Sequence, residues 1–310
     1  MPSYWKYNLQ DRIAVHLRNT KSESLTDVPV ELVNEDGEVL WRSRTDNKGN
    51  AELWPSLKKE NQDVIDGLKI RIDGELFNHP VSYSHKEVNR IALQDVESLR
   101  NDQVDIAFMV DATGSMGDEL DYLKAELTDV IADVKAKNDN IVVNTAAVFY
   151  RDKGDDYVTR LSGFTSSTRE TIDFIKEQSA DGGGDFPEAV HAALHDAISG
   201  LQWSSHARAR ILFMVLDAPP HHDEQIVAEI NQLVEKASAA GIAIIPVTAS
   251  GIDKETEFLM RYMAVATNGT YVFITNDSGI GNAHLEASVG NYQVEYLNAL
   301  MKRLINERLD

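Results

Sequence analysis

From residue 104 onward, short apolar runs alternate with segments whose apolar residues recur every three or four positions. The runs cover residues 104–110, 141–149, 157–163, 211–216, 242–247 and 270–275. Ile106, Ala107, Phe108, Met109 and Val110 leave no polar gap, the pattern of a strand buried on both faces. Between the runs the period is helical. Leu120, Leu123, Leu127, Val130, Ile131 and Val134 share one side of a helix, and Ala189, Val190, Ala193, Leu194, Ala197 and Ile198 share another. Ile226, Val227, Ile230, Leu233 and Val234 mark a third helix, which Gly241 should stop. Ser167 and Glu170 form an S-x-x-E box that opens a helix to about Gln178. Pro246 removes a ladder donor, which argues for a strand end or edge there. Two more helices are predicted, one ending near Thr267 and one starting near Asn291 with Val294, Leu297, Met301, Leu304 and Ile305 inward. Strands alternating with helices predict a doubly wound, mostly parallel, six-stranded α/β sheet.

Residues 8–98 have a different rhythm. Short β-branched or alternating stretches are separated by turn signals at Glu35-Asp36-Gly37, Asp46-Asn47-Lys48-Gly49 and Asp73-Gly74. Six or seven strands in this space predict an all-β sandwich over residues 1–98, with the α/β domain occupying 99–310. The stretch VELVNEDGEVLWRSRTDNKGNAELW resembles carboxypeptidase-regulatory-like and prealbumin-type modules. Asp46, Asn47 and Asn50 have calcium-loop chemistry, but such residues more often make a hairpin turn by local hydrogen bonding. The linker 95–102 is short and charged, so the two parts should sit close together.

Composition narrows the partners. Fifty acids against 30 bases give a net charge of −20, which argues against nucleic acid or an anionic membrane as main partner. No run of apolar residues is long enough to span a bilayer, and the first thirty residues contain no signal-peptide core. The absence of cysteine removes thiol catalysis, disulfides and thiolate zinc sites.

The chemistry concentrates in three loops. Asp111, Thr113 and Ser115 stand at alternate positions on the turn between a buried strand and the helix it feeds. That turn lies at the carboxyl end of the strand, where open α/β sheets place ligands. A carboxylate and two hydroxyls are hard donors suited to magnesium, manganese or calcium. Asp-x-Thr-x-Ser in this setting resembles the metal-ion-dependent adhesion site of von Willebrand factor type A domains. DGGGDFPEAV (181–190) resembles the family's second loop, with Asp185 where many members carry Thr, and Asp217 after the 211–216 strand resembles its last acid. The resemblance covers roughly residues 100–310. It implies a Rossmann-like fold and one divalent cation, magnesium first with manganese or calcium as alternatives, on Asp111, Thr113, Ser115, Asp185 and Asp217. It also implies a non-enzymatic adhesion module that clasps an Asp or Glu of a partner protein. The setting it implies is extracellular, periplasmic or cell-surface, with the cytoplasm as the alternative.

Other readings stand beside this one. Thr113 and Ser115 could merely cap the helix. Asp152, Asp155, Asp156, His221 and His222 form a candidate rim around the site and are otherwise solvated loop residues. Trp54 and Trp203 read as packing residues. The rival function is magnesium-dependent phosphoryl transfer with Asp111 as nucleophile, since DATGS also resembles the nucleophile loop of haloacid-dehalogenase-like phosphatases. Against it, no second acid follows two residues after Asp111, and no lysine is obviously placed to balance phosphate charge.

Overall fold

A computed structural model describes residues 2–7, 11–55, 67–77, 80–83, 86–98, 101–138, 140–249, 251–274 and 295–310. The chain opens with a single helical turn, α1 (Pro2–Trp5), and seven short strands follow: β1 (Ile13–Asn19), β2 (Pro29–Val33), β3 (Val39–Arg44), β4 (Asn50–Leu53), β5 (Lys69–Ile72), β6 (Glu75–Phe77) and β7 (Val88–Leu93). They form two small sheets, β4-β1-β7 and β3-β2-β5-β6. Val15 and Leu17 of the first sheet share an apolar cluster with Leu32, Trp41 and Ile70 of the second. The turn between β3 and β4 closes locally: Asp46 Oδ1 accepts from the backbone of Lys48 at 2.9 Å and of Asn50 at 2.8 Å. The hairpin reading of this turn therefore holds.

The second part opens with β8 (Gln103–Asp111), a 3-10 turn at Gly114–Met116 and α2 (Gly117–Lys137). There follow β9 (Val142–Tyr150), β10 (Thr159–Thr165), α3 (Thr168–Glu177), α4 (Val190–His195) with a wider turn at Asp196–Gly200, and β11 (Ala209–Leu216). The chain then runs through α5 (Glu224–Ala240), β12 (Ile242–Thr248), α6 (Lys254–Ala266), the two-residue β13 (Val272–Phe273) and α7 (Leu297–Asn306). The sheet order is β10-β9-β8-β11-β12-β13, antiparallel only between β9 and β10. The predicted six-stranded, mostly parallel sheet is thus present. Because the order reverses between β8 and β11, a crevice opens at their carboxyl ends.

Period-2 alternation explains the layering. Val104, Ile106, Phe108 and Val110 point to the face covered by α2, α3 and α7, while Ala107 and Met109 point to the face covered by α4, α5 and α6. Ser167 caps α3 by accepting from the Glu170 backbone, and α5 ends at Gly241 in the left-handed region. Pro246 is in register with Met214 of β11, and β13 starts pairing only one residue later, so its missing donor falls where one side of β12 is not yet laddered. The predicted last helix is described from Leu297, with Leu297, Met301, Leu304 and Ile305 buried. Asn291 and Val294 lie outside the described residues.

The two parts are not independent bodies joined by a string. One apolar cluster runs from Trp5, Tyr7 and Ile13 through Trp41 to Ile230, Val234 and Met260. Tyr7 stacks on Tyr262 at 3.4 Å, and Ser238 on α5 donates to the Arg42 carbonyl at 2.9 Å. The predicted closeness of the two parts is therefore realised as shared packing. Trp203, set against Phe164, and Trp54 are packing residues, as expected.

Candidate functional site

Asp111 is the last residue of β8, and Asp217 follows the last residue of β11, the neighbouring strand. Val110 is in register with Val215, so Asp217 leaves its strand one residue beyond the level of Asp111, close enough for each acid to feel the other's charge at the crevice. Asp111 has no exposed surface and Asp217 is 7% exposed. Asp111 Oδ1 accepts from the Thr113 backbone at 2.9 Å and from the Thr113 hydroxyl at 2.7 Å. The Thr113 and Ser115 hydroxyls are 3.2 Å apart. Neither side chain caps a helix: the 3-10 turn after Thr113 and α2 after Met116 both start without a side-chain cap bond. The capping reading is corrected on that geometry. The Thr113 hydroxyl sits on the carboxylate, and the exposed Ser115 hydroxyl sits against that of Thr113.

The second loop lies over this turn. Gly114 donates to the Gly182 carbonyl at 3.1 Å, and Asp181 to the Ala112 carbonyl at 3.1 Å. Gly182 and Gly183 have φ of 76° and 70°. A Cβ on Gly183 would come within 2.9 Å of Glu188 Oε1 and 3.2 Å of the Thr113 Cβ. Only glycine allows both the conformation and the approach. Asp185 in this loop is exposed, whereas Glu188, three residues on, is buried at 4% exposure. Glu188 is held in place by its backbone, which donates to the Pro219 carbonyl at 2.9 Å, just past Asp217. Sequence reasoning missed Glu188 because an acid just after Pro187 reads as an ordinary residue of a helix start. Its only signal is its place between the glycines and an apolar run.

The expected rim divides. Asp152 is buried, and its Oδ1 lies 2.7 Å from His221 Nε2. Asp155 Oδ2 accepts from the backbones of Asp152 at 3.0 Å and Gly183 at 2.9 Å, which ties the β9–β10 loop to the glycine loop. Asp156 is exposed. His222 turns away to the N-terminal turn, stacking on Tyr4 at 3.8 Å and meeting the Tyr4 carbonyl at 2.9 Å.

The electrostatics follow from burying acids together. Burial, and then the charge of Asp217, push the Asp111 carboxyl up to about 7 despite the Thr113 hydrogen bonds. Burial, and then the charges of Asp111, Asp152, Asp155 and Asp217, push Glu188 up to about 8. Burial and Asp111 also raise Tyr150 well above its ordinary value. Among the described residues, the buried Asp111 Oδ2 and Glu188 Oε2 meet no donor in good hydrogen-bonding geometry, and the Tyr150 hydroxyl beside Asp111 is likewise unsatisfied. An orphaned acceptor among mutually repelling acids is what a cation would satisfy. Among the described residues, no group of three or more His, Cys, Asp or Glu side chains is poised to hold an ion. The donors that fit are instead two acids, Asp111 and Asp217, with the hydroxyls of Thr113 and Ser115. These are hard oxygens suited to magnesium, manganese or calcium.

Comparison with known proteins places the second part of the chain in a family. The pattern of the von Willebrand factor A domain family matches residues 105–281, more than half of the chain. An ariadne-like RING finger protein of Acanthamoeba polyphaga mimivirus is 35% identical over 135 residues, 42% of this chain and 13% of that protein. The alpha-protein kinase vwkA of Dictyostelium discoideum is 32% identical over 123 residues, 39% of this chain and 19% of the kinase. The chain therefore spans less than a fifth of the length of either relative. Among solved structures, BatB from Bacteroides thetaiotaomicron superposes with a TM-score of 0.46 at 13% identity, covering 66% of this chain and 98% of that one. An aerotolerance-related membrane protein from Bacteroides fragilis gives 0.45 at 14% identity, with 66% and 98% covered.

Proposed function

This chain belongs to the von Willebrand factor A domain family, and on that premise we propose that it is a divalent-metal-dependent adhesion module that binds a partner protein through an Asp or Glu side chain. Domains of this family generally bind proteins. The observation that carries the finer reading is Asp111 itself: a fully buried carboxylate beside Asp217, with one oxygen held by Thr113 and the other without a donor in good geometry, the Tyr150 hydroxyl being its only described neighbour of that kind. A bound divalent cation, magnesium first, would supply a Lewis-acidic position open to a carboxylate from outside. Thr113 and Ser115 would contribute hydroxyl oxygens without adding negative charge. Asp185, exposed at the lip of the glycine loop, would meet the incoming chain rather than bury itself among the acids. The N-terminal sheets, which resemble carboxypeptidase-regulatory-like modules, would serve as the platform on which this face is carried.

The alternative, phosphoryl transfer from Asp111, is less well supported. A nucleophile must approach phosphorus directly, and Asp111 has no exposed surface. A small ion, or an ion's own water, needs far less room. Calorimetry with magnesium and manganese tests the proposal. One site is expected, abolished in Asp111→Ala, weakened in Thr113→Ala and nearly unchanged in Thr113→Ser. Equal metal binding by wild type and Asp111→Ala would overturn it, and turnover of p-nitrophenyl phosphate lost in Asp111→Asn would favour the phosphatase.

A further inference from the structure

A polar cavity rich in arginine lies at the start of β11, the opposite end of that strand from Asp217. It opens where the β3–β4 turn of the small sheets meets the α5–β12 turn and the chain's last residues. Arg44, Arg208, Arg210 and Arg308 line it, against two acids, Asp27 and Asp46. Four guanidinium groups thus face one cavity inside a protein of net charge −20, with Asp102 and Glu307 close to two of them.

Two of the four arginines are spoken for. Arg210, 4% exposed, grips Asp27 with both terminal nitrogens at 2.8 and 3.2 Å, and its Nε and Nη2 also meet the carbonyls of Ser204 and Ser205. Arg208 donates to the carbonyls of Asn101 and Leu309 at 3.0 and 2.9 Å and reaches Asp102 at 3.4 Å. The other two have donors to spare. Arg44 places Nε on Asp27 Oδ1 at 2.6 Å and Nη2 on the Asp27 carbonyl, which leaves Nη1 without a described partner. Arg308 gives one nitrogen to the Asn268 carbonyl and forms no ion pair with any acid among the described residues. Burial lowers the Arg308 pKa, and the nearby charges of Asp46 and Glu307 only partly compensate. Asp46 cannot serve as its missing partner without cost. Its Oδ1 is engaged by the turn backbone, and its Oδ2 takes the Asn268 side chain at 3.1 Å.

We propose that this cavity binds a small oxyanion, phosphate or the phosphate group of a monoester, between Arg308 and Arg44. A guanidinium presents a planar fork of donors that matches phosphate oxygens, and a half-buried guanidinium without an acid gains from such a partner. The two walls come from different parts of the chain: Arg44 from the end of β3, Arg308 from just beyond α7. The occupant therefore ties the N-terminal sheets to the C-terminal helix, next to the contact in which Asn47 donates to the Glu307 carbonyl at 2.9 Å.

The test uses the full chain in chelator, which keeps the Asp111 cluster from recruiting phosphate through a metal. Inorganic phosphate, phosphoserine and acetate are titrated by calorimetry at constant ionic strength set with sodium chloride. Phosphate should bind at one saturable site and raise the thermal midpoint as its concentration rises. Acetate should do neither. Binding of phosphoserine as well as phosphate would identify a mouth open to esters, and phosphate alone would identify the free ion as ligand. Arg308→Gln should weaken phosphate at least about tenfold, the size of one charge-assisted hydrogen bond, while melting as wild type in chloride. Should Arg308→Gln fold poorly, Arg44→Lys provides the second reading, because it retains the charge beside Asp27 and removes the fork. Absence of saturable phosphate binding, equal binding of acetate, or wild-type affinity in both variants would overturn the proposal.

Discussion

Arg210 at the start of β11 and Asp27 before β2 form a two-pronged ion pair, 2.8 Å at its shorter contact, with the arginine side chain 4% and the aspartate 10% exposed. Residues 183 positions apart are joined by it, and Arg44 adds a third contact to the same carboxylate. Burial alone would raise the Asp27 pKa, but the hydrogen bonds and charges of Arg210 and Arg44 outweigh it and hold the carboxyl below its ordinary value. A depressed carboxyl contributes stability above its unfolded pKa and loses that contribution as pH falls through its folded one. The contribution of this junction should therefore be complete above about pH 4 and decline progressively as pH falls below it. Asp27→Asn should cost about 3–5 kcal/mol at neutral pH by leaving Arg210 buried without its acid. Urea unfolding at pH 7 and at pH 3.5 measures both; a loss in the variant that is no smaller at pH 3.5 would show that the charge is not what matters.

The acid cluster predicts the opposite pH dependence. Asp111 and Glu188 are raised to about 7 and about 8, far above ordinary carboxyls. Between the unfolded and folded values, the native state holds more protons than the unfolded chain. Metal-free stability from these groups is then greatest below about pH 4 and is lost as pH rises through about 8. A divalent ion must displace those protons, so its apparent affinity should climb across pH 6 to 8 with proton release on binding. Calorimetry in buffers of different ionisation enthalpy counts the protons. Affinity that is flat over that range would mean that neither acid changes charge when metal binds.

Much of this architecture is legible along the chain itself. The gapless run at 106–110 and the helical period after it place Asp111 at a strand's end, and the S-x-x-E box and Gly241 mark helix ends by local chemistry alone. What stays hidden depends on contacts distant in sequence. Glu188 is defined by the charges of Asp111, Asp152, Asp155 and Asp217 around it, which no local pattern encodes. His221 and His222 are neighbours in sequence, yet one faces Asp152 and the other Tyr4. The four-residue α1 is too short to show a period, so the burial of Trp5 could not be read from spacing.

Gly183 should tolerate no side chain. At φ 70° an L-residue is strained, and its Cβ would meet Glu188 Oε1 at 2.9 Å and the Thr113 Cβ at 3.2 Å. Gly183→Ala should therefore cost about 1–2 kcal/mol from backbone alone and should also push Thr113 out of place. Metal affinity should fall while the rest of the fold persists by circular dichroism. A variant with wild-type affinity would separate the glycine loop from the site.

The last prediction concerns the first residues of the chain. Trp5 is 1% and Tyr7 is 3% exposed. Trp5 donates its indole nitrogen to the Glu255 carbonyl at 2.8 Å, at the start of α6, and Tyr7 stacks on Tyr262 of the same helix. Beside them Tyr4 stacks on His222, on the loop that follows Asp217. The segment thus spans from the core of α6 to the loop that carries an acid of the candidate site. Trp5→Ala should cost about 3–5 kcal/mol, the usual penalty for emptying an aromatic from a packed core. A fragment starting at residue 99 should still fold, because it carries all six strands of the described sheet and helices on both of its faces. It should melt well below the full chain, since Arg210 loses Asp27 and α6 loses its aromatic cover. Supplying residues 1–98 in trans should restore part of the difference. A fragment melting with the full chain would show that the N-terminal sheets lean on the second part without supporting it.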